Sequence, residues 1–156
     1  MAVIDKVLEF SDNQDIGSVS SGSSVVSSVV PELFNATAPY ESPYDTWGTD
    51  ITPDIGNGGR LIFNIHVSAT LAGSSAAVVA TLVSKAADNS ISSTGTTHAT
   101  ITIPTLTAAG TMYSVHVPAG TINRFVGVLY TASGGSLTSG NFDAWLGLDV
   151  ERYSAT

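Results

Sequence analysis

From residue 60 onward, apolar and polar side chains alternate with a period of two. In RLIFNIHVSATL, residues 60–71, Leu61, Phe63, Ile65 and Val67 fall on one side and Ile62, Asn64, His66 and Ser68 on the other. This is the pattern of a strand with one face on a core and a mostly polar face outward. A small-residue connection, Ala72-Gly73-Ser74-Ser75, of the kind that closes a hairpin leads into AAVVATLVSK, residues 76–85, whose continuous apolar run predicts burial on both faces. HATITIP sets Ala99, Ile101 and Ile103 against Thr100 and Thr102, and Pro104 ends the strand by removing a ladder donor. TMYSVHVPAG puts Tyr113, Val115 and Val117 on one face and stops at Pro118 and Gly120. A second hairpin is expected over Arg124–Thr131, a Gly134-Gly135 connection, and a last strand with Phe142, Ala144, Leu146, Leu148 and Val150 on one face. No window of 12 residues from 60 onward has apolar positions at helical spacing.

The front third differs. Ser18–Val30 is rich in Ser and Val and predicts a strand near Val25–Val30, stopped by Pro31. Residues 31–59 hold Pro31, Pro39, Pro43 and Pro53 and four glycines, the composition of one long surface loop. Loops of that length in compact domains are usually functional or disordered, and Tyr40, Tyr44 and Trp47 favour function, because exposed aromatic rings need somewhere to dock. The fold expected is an all-β antiparallel sandwich of jelly-roll type with about eight strands. Residues 1–17 are expected as an extended N-terminal arm and 18–156 as a single domain carrying the 31–59 excursion.

Composition removes several classes of chemistry. The 156 residues contain no Cys, which excludes disulfides, thiolate metal sites and thiol catalysis. Residues 1–54 hold nine acids against Lys6 alone, a charge of -8, whereas 55–156 hold four acids and four bases. Five basic residues dispersed among 13 acids cannot build a phosphate-binding groove, so nucleic acid is not an expected partner. Asp5, Lys6 and Glu9 break up the start, which lacks the roughly 7–15 residue apolar stretch of a secretory signal. No window reaches the roughly 18 apolar residues of a membrane span, so the expectation is a chain made in the cytoplasm without a membrane partner.

Catalytic constellations are missing from the sequence as well. His66, His98 and His116 show no HxH or HExxH spacing, and Asp143, Asp149 and Glu151 share the expected outer face of the last strand. No nucleophile elbow, P-loop or calcium loop occurs. The reading is therefore a non-enzyme with no catalytic, metal or cofactor-binding residue. Ser and Thr number 39, and little Lys is present to blunt open sheet edges, a composition that favours self-association or docking on another protein.

The order of these segments carries a resemblance. VIDKVLEFSDNQDI, then GGRLIFNIHVSATLAGSSAAVVATLVSKAADNSISS, then ITIPTLTAAGTMYSVHVPAGTINRFVGVLYTASGGSLTSGNFDAWLGLDVERY resembles the jelly-roll capsid cement proteins of tailed bacteriophages, the family typified by the Bordetella podovirus. It is clearest over residues 3–16 and 59–153, and residues 31–58 depart from it. The resemblance implies a protein on the outer surface of an icosahedral head that bridges major capsid subunits against internal DNA pressure, as a homodimer with a trimer as the alternative. Partner-binding residues are then expected to be Val3, Ile4, Val7, Leu8 and Phe10 of the arm and Tyr40, Tyr44 and Trp47 of the loop. The alternative for the arm is packing on its own domain as an edge strand. Two other functions stay open: a carbohydrate- or receptor-binding module of a phage fibre or spike, stacking sugars on Tyr40, Tyr44 and Trp47, and a cupin-like metalloenzyme.

Overall fold

The computed structural model describes residues 8–31, 61–74, 77–86, 90–118 and 122–147. Within them the chain forms eight strands: β1 (Glu9–Asp15), β2 (Ser24–Val26), β3 (Ile62–Gly73), β4 (Ala77–Lys85), β5 (Thr96–Pro104), β6 (Met112–His116), β7 (Phe125–Ser133) and β8 (Leu137–Gly147). They make two four-stranded sheets, in the orders β1-β8-β3-β6 and β2-β7-β4-β5. Every neighbouring pair is antiparallel. This interleaving, with every successive pair of strands except β4 and β5 divided between the two sheets, is the jelly roll expected from the sequence.

Alternation builds the core. Leu61, Phe63, Ile65 and Val67 of β3 and the start of its approach, Val78, Ala80 and Leu82 of β4, Ala99, Ile101 and Ile103 of β5, and Phe142, Ala144 and Leu146 of β8 all enter one buried cluster. Thr100 and Thr102 point to solvent, as their phase requires. The run in β4 is not buried on both faces along its length: Ala77, Val79 and Thr81 are half-exposed, and only from Val83 does a second small cluster, with Ile91 and Leu129, cover the outer side. The change coincides with a bulge, because Leu82 pairs with Ala99 and Val83 with Thr97, leaving His98 as the extra residue.

Both expected hairpins are corrected. β3 pairs with β6 and β8, and β4 with β5 and β7, so the connection after Gly73 turns a corner between sheets. Gly134-Gly135 does the same between β7 and β8. A strand with one apolar face looks alike whether its sequence neighbour lies beside it or across the core, and alternation cannot tell the two apart. The two corners meet: Ser74 N–H donates to the Ser136 carbonyl at 3.2 Å. Gly135 is required there, since a Cβ would lie 1.8 Å from the Ser74 carbonyl oxygen.

The strand expected over Val25–Val30 shortens to three residues. Ser27 N–H still donates to the Val128 carbonyl at 2.8 Å, but the return bond from Val128 N–H goes to Ser27 Oγ at 3.0 Å, and that hydroxyl donates to the Val29 carbonyl at 2.8 Å, so the side chain ends the regular ladder. Of the expected arm, residues 9–15 form β1, an edge strand on β8. Val29 N–H donates to the Phe10 carbonyl at 2.8 Å and Gln14 Nε2–H to the Val26 carbonyl of β2 at 2.8 Å, so the segment is tied to the second sheet as well.

Candidate interaction surfaces

The two sheets present different outer faces because their strands carry different side chains in the outward phase. On β1-β8-β3-β6 that face is polar and internally bonded. His66 of β3 lies opposite Asp143 of β8, and its Nδ1–H donates to Asp143 Oδ2 at 2.7 Å. Asp143 Oδ1 accepts the Asn13 N–H at 2.5 Å. Asn13 stands at φ 48°, a left-handed conformation that Asn tolerates, and its Oδ1 accepts from Ser68 Oγ at 3.1 Å and Asn141 Nδ2 at 3.2 Å. The group joins three strands through hydrogen bonds among its own members, as a structural polar cluster does. No group of three or more His, Asp or Glu able to hold a metal ion occurs among the described residues.

Outward positions nearer the other end of this sheet are buried, contrary to the expectation of a mostly polar exposed face. Ile62 is 3% exposed, Asn64 0% and Trp145 6%. Asn64 Oδ1 accepts from Ser114 Oγ at 2.6 Å, while Trp145, paired with Asn64 across the ladder, keeps Nε1–H without a hydrogen-bond partner.

The β2-β7-β4-β5 sheet is the reverse. Its four strands carry one charged residue, Lys85 at the end of β4. The outward positions Ser24, Ala77, Val79, Thr81, Thr100, Thr102 and Thr131 are exposed or half-exposed, small and uncharged. Such a face gives up little hydration when covered, since burying charge is the costly step, and interface centres are depleted of charge for that reason. Leu106 stands just beyond β5, 78% exposed. Its φ is 66°, and its N–H is bonded to the Leu71 carbonyl at 2.9 Å. A large apolar side chain in a left-handed turn is held outward by backbone that gains nothing from its being Leu.

The residues expected to bind a partner fall into two groups. Phe10 is 0% exposed and belongs to the chain's own core, where full burial of such a ring contributes roughly 1.5–3 kcal/mol, and Leu8 is partly buried against the same cluster. Neighbouring Ser11 and Tyr130 share a 2.8 Å hydrogen bond across the sandwich, and burial pushes the Tyr130 hydroxyl well above its ordinary range. Val3, Ile4, Val7, Tyr40, Tyr44 and Trp47 lie outside the described residues, as do Asp149 and Glu151. Leu106 was not singled out by sequence, because apolar residues in turns are common and its exposure is set by the backbone.

A family model, Bbp16, matches residues 36–146, which is 111 of the 156 residues. It takes in much of the 31–58 stretch expected to depart from the resemblance, and leaves residues 3–16 outside the match. No curated protein matches the sequence.

Proposed function

The chain belongs to the Bbp16 family, a family of phage proteins, and on that premise we propose that it is a structural protein of the virion. In this reading it decorates the outer surface of the icosahedral head and ties neighbouring major capsid subunits together. Beyond the family, the observation that carries the reading is the contrast between the faces. One carries a hydrogen-bonded polar cluster around His66, Asp143 and Asn13; the other is a four-strand sheet with charge only at the end of β4, suited to lying against protein. A packed genome pushes the shell outward, and a clamp across two capsomers adds free energy that must be lost before they part. Individually weak contacts suffice when many symmetric copies engage at two points, because the second contact forms at high effective concentration. Val3, Ile4 and Val7 would add apolar contact with a neighbouring subunit.

Quantitative mass spectrometry of purified virions tests this through the copy number relative to the major capsid protein. Hundreds of copies, at a simple ratio to the capsid protein, are expected. A handful would move the protein to the tail and favour the receptor-binding alternative, and absence from the particle would end both structural readings.

A further inference from the structure

The antiparallel registers bring the C-terminal ends of β1, β3, β5 and β7 and the N-terminal ends of β2, β4, β6 and β8 to one end of the sandwich. Four connections lie there, residues 16–23, 74–76, 105–111 and 134–136. Hydrogen bonds knit them together: Ser21 N–H meets Ser136 Oγ at 3.2 Å, and Leu137 N–H meets the Val19 carbonyl at 3.0 Å. None of the chain's 13 acids and five basic residues falls in these connections. Asp15, the last residue of β1, stands at their rim, and Lys85 and Arg124 lie at the opposite end. Among the described residues, what the four connections expose is Ser, Gly, Ala and one large apolar side chain, Leu106, which is 78% exposed.

Leu106 is held out by a turn that is fixed on both sides. Its N–H donates to the Leu71 carbonyl at 2.9 Å, and Leu71 N–H returns to the Thr107 carbonyl at 3.0 Å. Thr107 is buried, and its Oγ1–H donates to the Pro104 carbonyl at 2.7 Å. Farther along, Gly110 N–H donates to the Val67 carbonyl at 2.8 Å and Val67 N–H to the Thr111 carbonyl at 2.9 Å, which docks the whole connection on β3. The backbone is left-handed twice here, at Leu106 with φ 66° and at Gly110 with φ 87°. Glycine takes that conformation without steric cost, whereas a branched apolar residue does not. At Leu106 the chain therefore carries strain for a side chain that adds no packing to its own core, and strain retained without a packing gain points to a function.

We infer that Leu106 is the anchor by which this end of the sandwich seats on the major capsid protein, entering an apolar pocket in an uncharged part of that protein's surface; the inference rests on the capsid reading. Charge selects the partner's chemistry. A basic surface would be drawn to the acids of this chain, none of which lies in the four connections. An uncharged surface loses little hydration against Ser, Gly and Ala, and it can pack on them closely because they are small. A glycan would call for an aromatic ring to stack on, and the described residues of these connections expose none. A lipid surface would call for more apolar area than one leucine. The end is also continuous with the uncharged β2-β7-β4-β5 sheet, since Leu106 follows β5 by two residues. A side chain presented by a fixed turn loses little conformational freedom on binding, which favours a small contact repeated over many copies.

Heads assembled without this protein, titrated with the full chain and pelleted, provide the test, together with thermal melting of each chain in solution. The wild type is expected to bind. Leu106→Asn tolerates the left-handed turn and removes the apolar group, so it should bind about tenfold weaker or more while melting at or above the wild-type temperature. Leu106→Met keeps the apolar volume and should recover most of the affinity. Val29→Ser removes the other exposed large apolar side chain among the described residues, away from this end, and should bind as the wild type does. A wild type that leaves the heads bare would overturn the capsid reading and this inference with it. If the wild type binds, four results would each overturn the anchor alone: Leu106→Asn binding as tightly, Leu106→Asn melting clearly lower, Leu106→Met no better than Leu106→Asn, or Val29→Ser losing as much affinity.

Discussion

His98 shows how one side chain ties a local bulge to a pH response. As the extra residue of β5, it turns inward enough for Nε2 to meet Ser84 Oγ at 2.7 Å. Ser84 Oγ already accepts from Asn123 N–H at 3.1 Å and from Asn123 Nδ2 at 3.2 Å, so its own hydrogen goes to Nε2 and His98 serves as a neutral acceptor. Burial lowers the His98 pKa below its ordinary 6.5. The unfolded chain therefore takes up a proton near pH 6.5 that the folded chain refuses. Stability is full above that value and declines as the pH falls from it toward the folded pKa. Urea unfolding midpoints at about pH 7.5 and about pH 5.5 should show this decline, above the range where most carboxylates titrate. His98→Gln should flatten it; an unchanged slope in that variant would assign the decline to other groups. The spacing of the three histidines revealed no such role, since it depends on which residue the ladder skips.

At the scale of elements, the sequence disclosed strands and hid their partners. β3, β5 and β8 are legible because their alternation is strong and their turns are marked by Gly and Pro. β2 is short because Ser27 diverts the backbone, a competition that residue propensity alone does not resolve. β1 carries the largest consequence. Phe10 and Ile16 are fully or almost fully buried, and the strand is bonded to β8 on one side and to Val29 across the sandwich. Removing residues 1–16 should therefore destabilise the fold itself, by at least the roughly 3–5 kcal/mol typical of losing one large buried aromatic. Thermal unfolding reads this directly. A truncated chain that melts like the full one would show β1 to be dispensable and would return the segment to the role of an arm.

For the whole molecule, the distribution of charge matters more than its total. The acids concentrate in residues 1–54, and the β2-β7-β4-β5 sheet carries only Lys85. Capsid docking through that sheet should change little between low and high salt, because the four strands themselves bring only Lys85 to the contact. Co-sedimentation with capsids at two ionic strengths checks it; binding lost as salt rises would point to an ion-paired interface elsewhere. The sequence by itself determined the class of the molecule: period-two alternation, Gly and Pro punctuation and the absence of helical spacing leave a sandwich as the way to bury one face of each strand. It also determined the lack of thiol chemistry and the acidic front third. Only the tertiary structure decided which strands are neighbours, that the two glycine-bearing connections are corners, and that Phe10 faces inward. Those features follow from contacts between residues far apart in the chain, and a local pattern specifies the face a side chain seeks without specifying the strand it will find there.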